Sequence, residues 1–350
     1  MHPKRCLFLA TFSAIMFAME NGADILKKRM RRGIIAAFGC YLMWGVFPLY
    51  WKLLSHVSSL EVIAQRIIWC CVFTVIICFV GRWDFVGLLK DRRALRYLIP
   101  ASILITLNWS TYIFAVDIDR IVETSIGYYI NPLVSILLGL IIFKEKLTPL
   151  QWAAVSLCCV GIVFFTADYG SFPWISIILA ISFGLYGAVK KKGGYPAVEA
   201  ITVESVVMAP VALVFAIVFA TITEGHAFGG DTSSLSGWIT TLLLIGGGAI
   251  TAMPLILFAS AANSIPLTLL GFIQYLSPTI ALMIGVFANG EPFTLAHAVC
   301  FGCIWCGLVL VGIDAVRTSL KASKESTVLT TPVLTPLEQE EELELPRSSS

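Results

Sequence analysis

The chain is expected to fold as an all-α integral membrane protein, its ten transmembrane helices arranged as two inverted five-helix repeats. Three observations predict this. Hydrophobic residues make up 58% of the 350 residues and charged residues only 13%, against roughly 25% charge in a soluble domain, and the mean hydropathy is +0.87. Apolar runs of about 20 residues, the length that crosses a hydrocarbon core as a helix, recur along the chain. Side chains of the early runs reappear in order in the late ones.

The first run, 33–53, follows the basic cluster Lys27, Lys28, Arg29, Arg31 and Arg32. The second, 60–81, opens on Glu61, since an acid suits a helix N-terminus, and carries Arg66. The third, 97–116, holds Asn108, Trp109 and Tyr112, with Asn108 and Tyr112 on one face at i, i+4. In the fourth, 121–143, Tyr128, Tyr129 and Asn131 precede Pro132; the fifth spans 149–167. The sixth, 172–189, ends on Lys190, Lys191 and Lys192. The seventh, 198–220, starts with Glu199 and carries Glu204. The eighth, 237–262, contains Gly246, Gly247 and Gly248; no lysine follows, so close helix contact is expected rather than phosphate binding. The ninth, 266–288, places Gln274, Tyr275 and Ser277 beside Pro278, and the tenth, 294–315, carries Cys300, Cys303 and Cys306. All cysteines except Cys6 fall inside apolar runs, where Cys behaves as a small hydrophobe. They are read as packing residues.

Short cytoplasmic loops retain Lys and Arg. The first cluster, then Arg82, Lys90, Arg92, Arg93 and Arg96, Lys144 and Lys146, Lys190 to Lys192, and Arg317 with Lys321 all fall on one side if every run spans. The opposite loops hold Arg120 and the acids Asp117, Asp119, Asp168, Glu224 and Asp231. Both termini are therefore expected in the cytoplasm. Residues 1–30 are expected as an N-terminal extension, either non-native or disordered or an interfacial anchor, with Met30 an alternative start to Met1. Residues 319–350, rich in Ser, Thr, Pro and Glu, are expected as a disordered cytoplasmic tail.

The fourth and fifth runs align with the ninth and tenth without a gap: Tyr129 with Tyr275, Pro132 with Pro278, Gly139 with Gly285, Glu145 with Glu291, Thr148 with Thr294 and Gly161 with Gly307. Phe114-Ala115 matches Phe258-Ala259, Trp44-Gly45 matches Tyr186-Gly187, and Arg66 falls where its copy carries Glu204. The repeats run from 31 to 168 and from 169 to 318. Five helices per repeat is odd, so the second repeat enters from the opposite side of the membrane. Inverted halves can adopt two mirror-related arrangements, one open to each side.

Trp44-Gly45, Glu61 with Arg66 to Trp69, Asn108-Trp109, Glu123 through Ser125 to Val134, and Gly271 to Tyr275 carry a family resemblance. They resemble the RarD group of EamA-type proteins in the drug/metabolite transporter superfamily, over about Arg32 to Arg317. The resemblance implies a ten-helix inner-membrane permease and a link to chloramphenicol sensitivity, without a defined substrate.

Ionisable groups at membrane depth cost about 2.5–3.5 kcal/mol at a helix centre and point inward to a partner or pathway. Arg66 and Glu204, related by the repeat, are expected near the bundle centre. They would serve either as a static ion pair or as a switch, in which a substrate carboxylate replaces Glu204 on Arg66 or a proton neutralises Glu204. Trp44, Asn108, Trp109, Tyr112, Tyr128, Tyr129, Asn131, Gln274 and Tyr275 complete the candidate pathway; packing and interhelical hydrogen bonding are the competing roles. Trp51, Trp83 and Trp238, near helix ends, are expected as interface anchors.

No G-x-x-x-x-G-K-[ST] occurs, and His56, His226 and His297 lack ligand spacing, so neither ATP hydrolysis nor a metal or other cofactor is expected. The scattered basic clusters exclude a nucleic-acid surface. The expected function is secondary transport of a small organic solute, metabolite or drug, with protons as a coupling ion and the lipid bilayer as the surrounding partner. The alternative class is an integral membrane enzyme or a non-transporting accessory or scaffold subunit. An enzyme would gather acids or histidines at one membrane face, and these polar groups lie singly at mid-depth.

Overall fold

The computed structural model describes residues 3–118, 120–170, 172–222, 227–229, 234–290 and 293–330. The tail beyond Thr330, together with Asp119, Glu224, His226, Asp231 and Glu291, lies outside the described residues. The elements are α1 (Pro3–Lys52), α2 (Ser59–Gly81), α3 (Phe85–Lys90), α4 (Arg92–Asp117), α5 (Ile121–Phe143), α6 (Pro149–Tyr169), α7 (Trp174–Gly193), α8 (Ala197–Ile222), α9 (Leu235–Ser264), α10 (Leu267–Gln274), α11 (Leu276–Asn289) and α12 (Leu295–Thr330). Among the described residues, ten segments are long and apolar enough to cross a membrane, α10 and α11 together making one of them.

Apolar length located these helices; side-chain chemistry sets their ends. α1 runs unbroken through the basic cluster and through residues expected to form a separate extension, because Lys and Arg are good helix formers and charge alone does not stop a helix. α12 continues to Thr330, past the expected end at 315. The six-residue α3, too short to stand out as a membrane-length apolar run, is started by the Asp84 side chain accepting from Gly87 N at 2.8 Å. Thr148 and Gln151 close a reciprocal capping box on α6, with Pro149 in the first turn. α5 ends on Lys144 with φ 53, and α11 makes the corresponding turn with Gly290 at φ 69.

Packing follows the repeat. α1 lies on α9 as α7 lies on α4, and α5 lies on α7 as α10 and α11 lie on α1. The pairs α2 with α8, α5 with α10, and α6 with α12 join equivalent helices across the pseudo-two-fold axis. Two five-helix halves thus interlock along almost every helix. α2 and α9 meet so closely at Gly248 that a Cβ there would overlap the backbone of Trp69. Cys158, Cys300 and Cys303 pack where α6 meets α12, and a Cβ on Gly161 would lie 2.9 Å from Cys303 Cβ, whereas Cys159 and Cys306 on the same helices are exposed. Large apolar side chains such as Phe79, Val80, Ile141, Val163 and Phe287 face outward, the surface a hydrocarbon solvent requires.

Candidate functional site

Proline shapes the centre. Pro132 in α5 and Pro278 in α11 have no N–H, so the carbonyls of Tyr128 and Gln274, four residues earlier, lose their helical donors. In the second half the helix is interrupted at Tyr275, between α10 and α11. Both freed carbonyls belong to residues that line one cavity of about 480 Å³ between the halves. Trp44, Arg66, Asn108, Trp109, Tyr112, Tyr128, Asn131 and Gln274 line it, joined by Tyr41, Trp51, Phe183 and Ser277. The cavity reaches the α1–α2 turn through Ser55 and Ser59, and Ser55 is exposed.

Arg66 is the charged residue of this cavity among the described lining residues. Its Nε donates to Thr251 Oγ1 at 3.1 Å, and Thr251 in turn donates to Gly247 O at 2.7 Å. The guanidinium carbon sits 4.5 Å from the Trp51 ring centre and 4.9 Å from that of Trp109, so two indoles hold the planar group by cation–π attraction. Tyr112 and Tyr128, their rings 6.2 Å apart, expose 37% and 40% of their surface. Asn108 Nδ2 is engaged across the bundle, donating to Leu179 O at 2.9 Å and Ser182 Oγ at 3.1 Å, and Ser135 Oγ donates to Gln274 Oε1 at 3.3 Å. The interhelical and lining roles weighed for these amides therefore coexist.

Below the cavity the bundle is closed. Trp44 contacts Tyr41, Phe183 and Phe258 at 5.6–5.8 Å, and Phe258 stacks on Tyr186 at 5.5 Å. The Tyr186 hydroxyl donates to Glu204 Oε2 at 3.2 Å, and Lys190 Nζ donates to Glu204 Oε1 at 2.6 Å. Farther along the same direction Glu145 crosses from the first half to the second. Its oxygens accept from Leu267 N and Thr268 N, each at 2.8 Å, and it pairs with Lys191 at 3.5 Å. Beside it Arg29 donates to Asn263 O, and α1 touches α9 at Gly33, where a Cβ would lie 2.6 Å from Ser264 Cβ.

Three expectations are corrected. Glu204 is not Arg66's partner and does not line the cavity: it is buried between α7 and α8, where Lys190 and Tyr186 satisfy both oxygens. Tyr129 and Tyr275 point away from the cavity into the contact with α6 and α12, Tyr129 lying edge-on to Phe165 and Phe301. A step of one residue turns a helix by about 100°, and here it carries Tyr129 and Tyr275 off the face that Tyr128 and Gln274 present to the cavity. Trp51, read as an interface anchor, instead covers Arg66.

Lys190 was missed because the three lysines read as loop charges; α7 in fact runs on to Gly193. The signal was available, since Tyr186 and Lys190 share a helix face at i, i+4. Glu123, named only as part of the family resemblance, accepts from Ile175 N at 3.1 Å at the start of α7 and pairs with Arg120 at 2.8 Å.

Ten membrane-length helices in two inverted halves around a solute-sized cavity define a multi-pass membrane transporter. Residues 31–167 and 173–313 match the EamA-like transporter family, and the chain belongs to that family. It is 42% identical to an uncharacterized transporter, YojE, of Bacillus subtilis over 299 residues, covering 84% of this chain and 97% of that one. It is 35% identical to the protein RarD of Escherichia coli over 299 residues, 85% of this chain and 99% of the relative. A solved crystal structure superposes with a TM-score of 0.64 at 15% identity, over 82% of this chain and 99% of the other, and shares the fold.

Proposed function

We propose that the protein is a secondary carrier of a small organic solute, working by alternating access of its two halves in the cell inner (plasma) membrane. The observation that carries this reading is the one-sided cavity. It is open toward the α1–α2 turn and closed toward the end where α7 finishes and α10 begins. Its volume of about 480 Å³ falls in the range of roughly 300–1,000 Å³ typical of small-molecule sites. The basic clusters sit at the closed end, so the positive-inside tendency makes that end the cytoplasmic one, the side expected for both termini, and leaves the cavity facing outward. The mirror arrangement, reached by rocking one half on the other, would open the cytoplasmic side. A proton gradient is a sufficient drive, because one charge moved through 100 mV is worth about 2.3 kcal/mol.

The test is flux into liposomes containing the purified protein, using a panel of metabolites and drugs that includes chloramphenicol. Uptake or counterflow of at least one solute above protein-free liposomes is expected. Protein that melts cooperatively, and is therefore folded, yet moves none of them refutes the carrier reading.

A further inference from the structure

The chemistry of the cavity narrows the solute, on the premise that this cavity is the transport site. Arg66 brings a full positive charge, and no Asp or Glu occurs among the described lining residues. With Nε committed to Thr251, the two terminal nitrogens have no acceptor among the described residues, and the flanking indoles fix the plane in which they can donate. A guanidinium so held is matched by two coplanar acceptor oxygens. Glu204 cannot supply them in this arrangement, because Lys190 and Tyr186 occupy its oxygens.

Two further groups at the cavity lack partners among the described residues. The Tyr41 hydroxyl and the Asn131 side-chain oxygen are buried and make no hydrogen bond, although buried polar groups are normally satisfied. Both residues line the cavity, at 1% and 3% exposure. A ligand hydroxyl can both donate and accept, and so can meet either group. Among the other lining residues Trp44, Phe47, Trp109, Tyr112, Tyr128 and Phe183 are aromatic, suited to a flat apolar body.

We propose that the cavity binds an organic anion consisting of a carboxylate, which forks onto Arg66, a flat apolar body, and a hydroxyl that meets Asn131 or Tyr41. A zwitterion fits less well, since no acid among the lining residues awaits its ammonium. The probes are 3-phenyllactate, its neutral amide 3-phenyllactamide, the zwitterion phenylalanine, and 3-phenylpropionate, which lacks the hydroxyl. They are titrated into purified full-length protein and followed by the fluorescence of Trp44, Trp51 and Trp109 at the site. Phenyllactate is expected to bind at least tenfold more tightly than the amide and phenylalanine, and severalfold more tightly than phenylpropionate. Arg66→Lys, which keeps the charge and loses the fork, is expected to cost phenyllactate more than tenfold and leave the amide unchanged.

The wild-type series decides the matter even if the variant does not fold. Equal binding of amide and anion, stronger binding of phenylalanine, or no binding of any of the four overturns the proposal. Counterflow in liposomes separates the two claims: transport of neutral or cationic solutes with carboxylates excluded overturns the anion and leaves the carrier, whereas folded protein that moves nothing removes both.

Discussion

Glu145 ties the two halves together at the closed end, and removing its charge is expected to loosen that end. Glu145→Gln keeps the side chain's length and removes its charge. In the wild type the carboxylate accepts two backbone N–H bonds, from Leu267 and Thr268, at the start of α10, and pairs with Lys191. A hydrogen bond to a charged group is worth about 1.5–3 kcal/mol and a neutral one about 1 kcal/mol. The amide has one acceptor oxygen for the two donors, so one charged bond is lost and the other reduced to neutral strength. The Lys191 pair is partly exposed, which limits its share to under about 1 kcal/mol. The arrangement with the basic end closed should therefore lose about 2–5 kcal/mol relative to one in which α10 has moved away. At about 1.4 kcal/mol per factor of ten, that shifts the balance between the two arrangements by roughly 30- to 4,000-fold. The readout is Ala262→Cys, a small change at a fully buried position near the end of α9. Its labelling by a membrane-impermeant thiol reagent, applied from the basic side, should accelerate when Glu145→Gln is added. The exposed Cys159 and Cys306 set the background in the parent. Labelling at the parental rate, with Glu145→Gln folded, would refute the claim that this contact holds the end shut.

The buried Lys190–Glu204 pair lends itself to a double-mutant cycle. Lys190→Met and Glu204→Leu should each cost about 3–5 kcal/mol by stranding a buried charge, while the double variant loses only about 1–3 kcal/mol through the orphaned Tyr186 hydroxyl. The coupling energy, from denaturation in mixed micelles, should exceed about 3 kcal/mol, and additive single costs would show that the pair is hydrated. At the α2–α9 crossing, Gly248→Ala must push aside the Trp69 backbone and is expected to cost more than about 2 kcal/mol. Gly247→Ala meets ring atoms of Trp51 at 3.5 Å and should be close to neutral; equal melting temperatures for the two would contradict so close a crossing.

The helices and the five-and-five repeat were legible because hydrocarbon demands long apolar runs and because duplication leaves aligned Tyr, Pro and Gly. Arg66 was legible for the complementary reason, as a charge that lipid does not tolerate. Orientation around a helix was harder. Tyr128 and Tyr129 are adjacent and chemically alike, and only the position of α6 and α12 decides which of them faces the cavity. Partner identity was hardest of all, because the role of Lys190 depends on α7 continuing past its apolar run and on α8 bringing Glu204 to meet it.

That partnership explains why the cavity carries net charge. By the alignment of Trp44-Gly45 with Tyr186-Gly187, the counterpart of Lys190 in the first half is Pro48. In the second half Glu204 is neutralised by a lysine one helical turn beyond Tyr186 and sealed under aromatic rings. In the first half the corresponding place offers a proline on the cavity wall, and Arg66 is left with two indoles and a threonine hydroxyl, none of them charged. Identical halves would carry the same charge balance. The difference at these two pairs of positions leaves one half internally neutral, and the other with a positive charge that no described lining residue balances in this arrangement. The asymmetry resides in the side chains and not in the fold, so exchanging residues at Pro48 and Arg66 is a more direct route to altered solute charge preference than any change in helix packing.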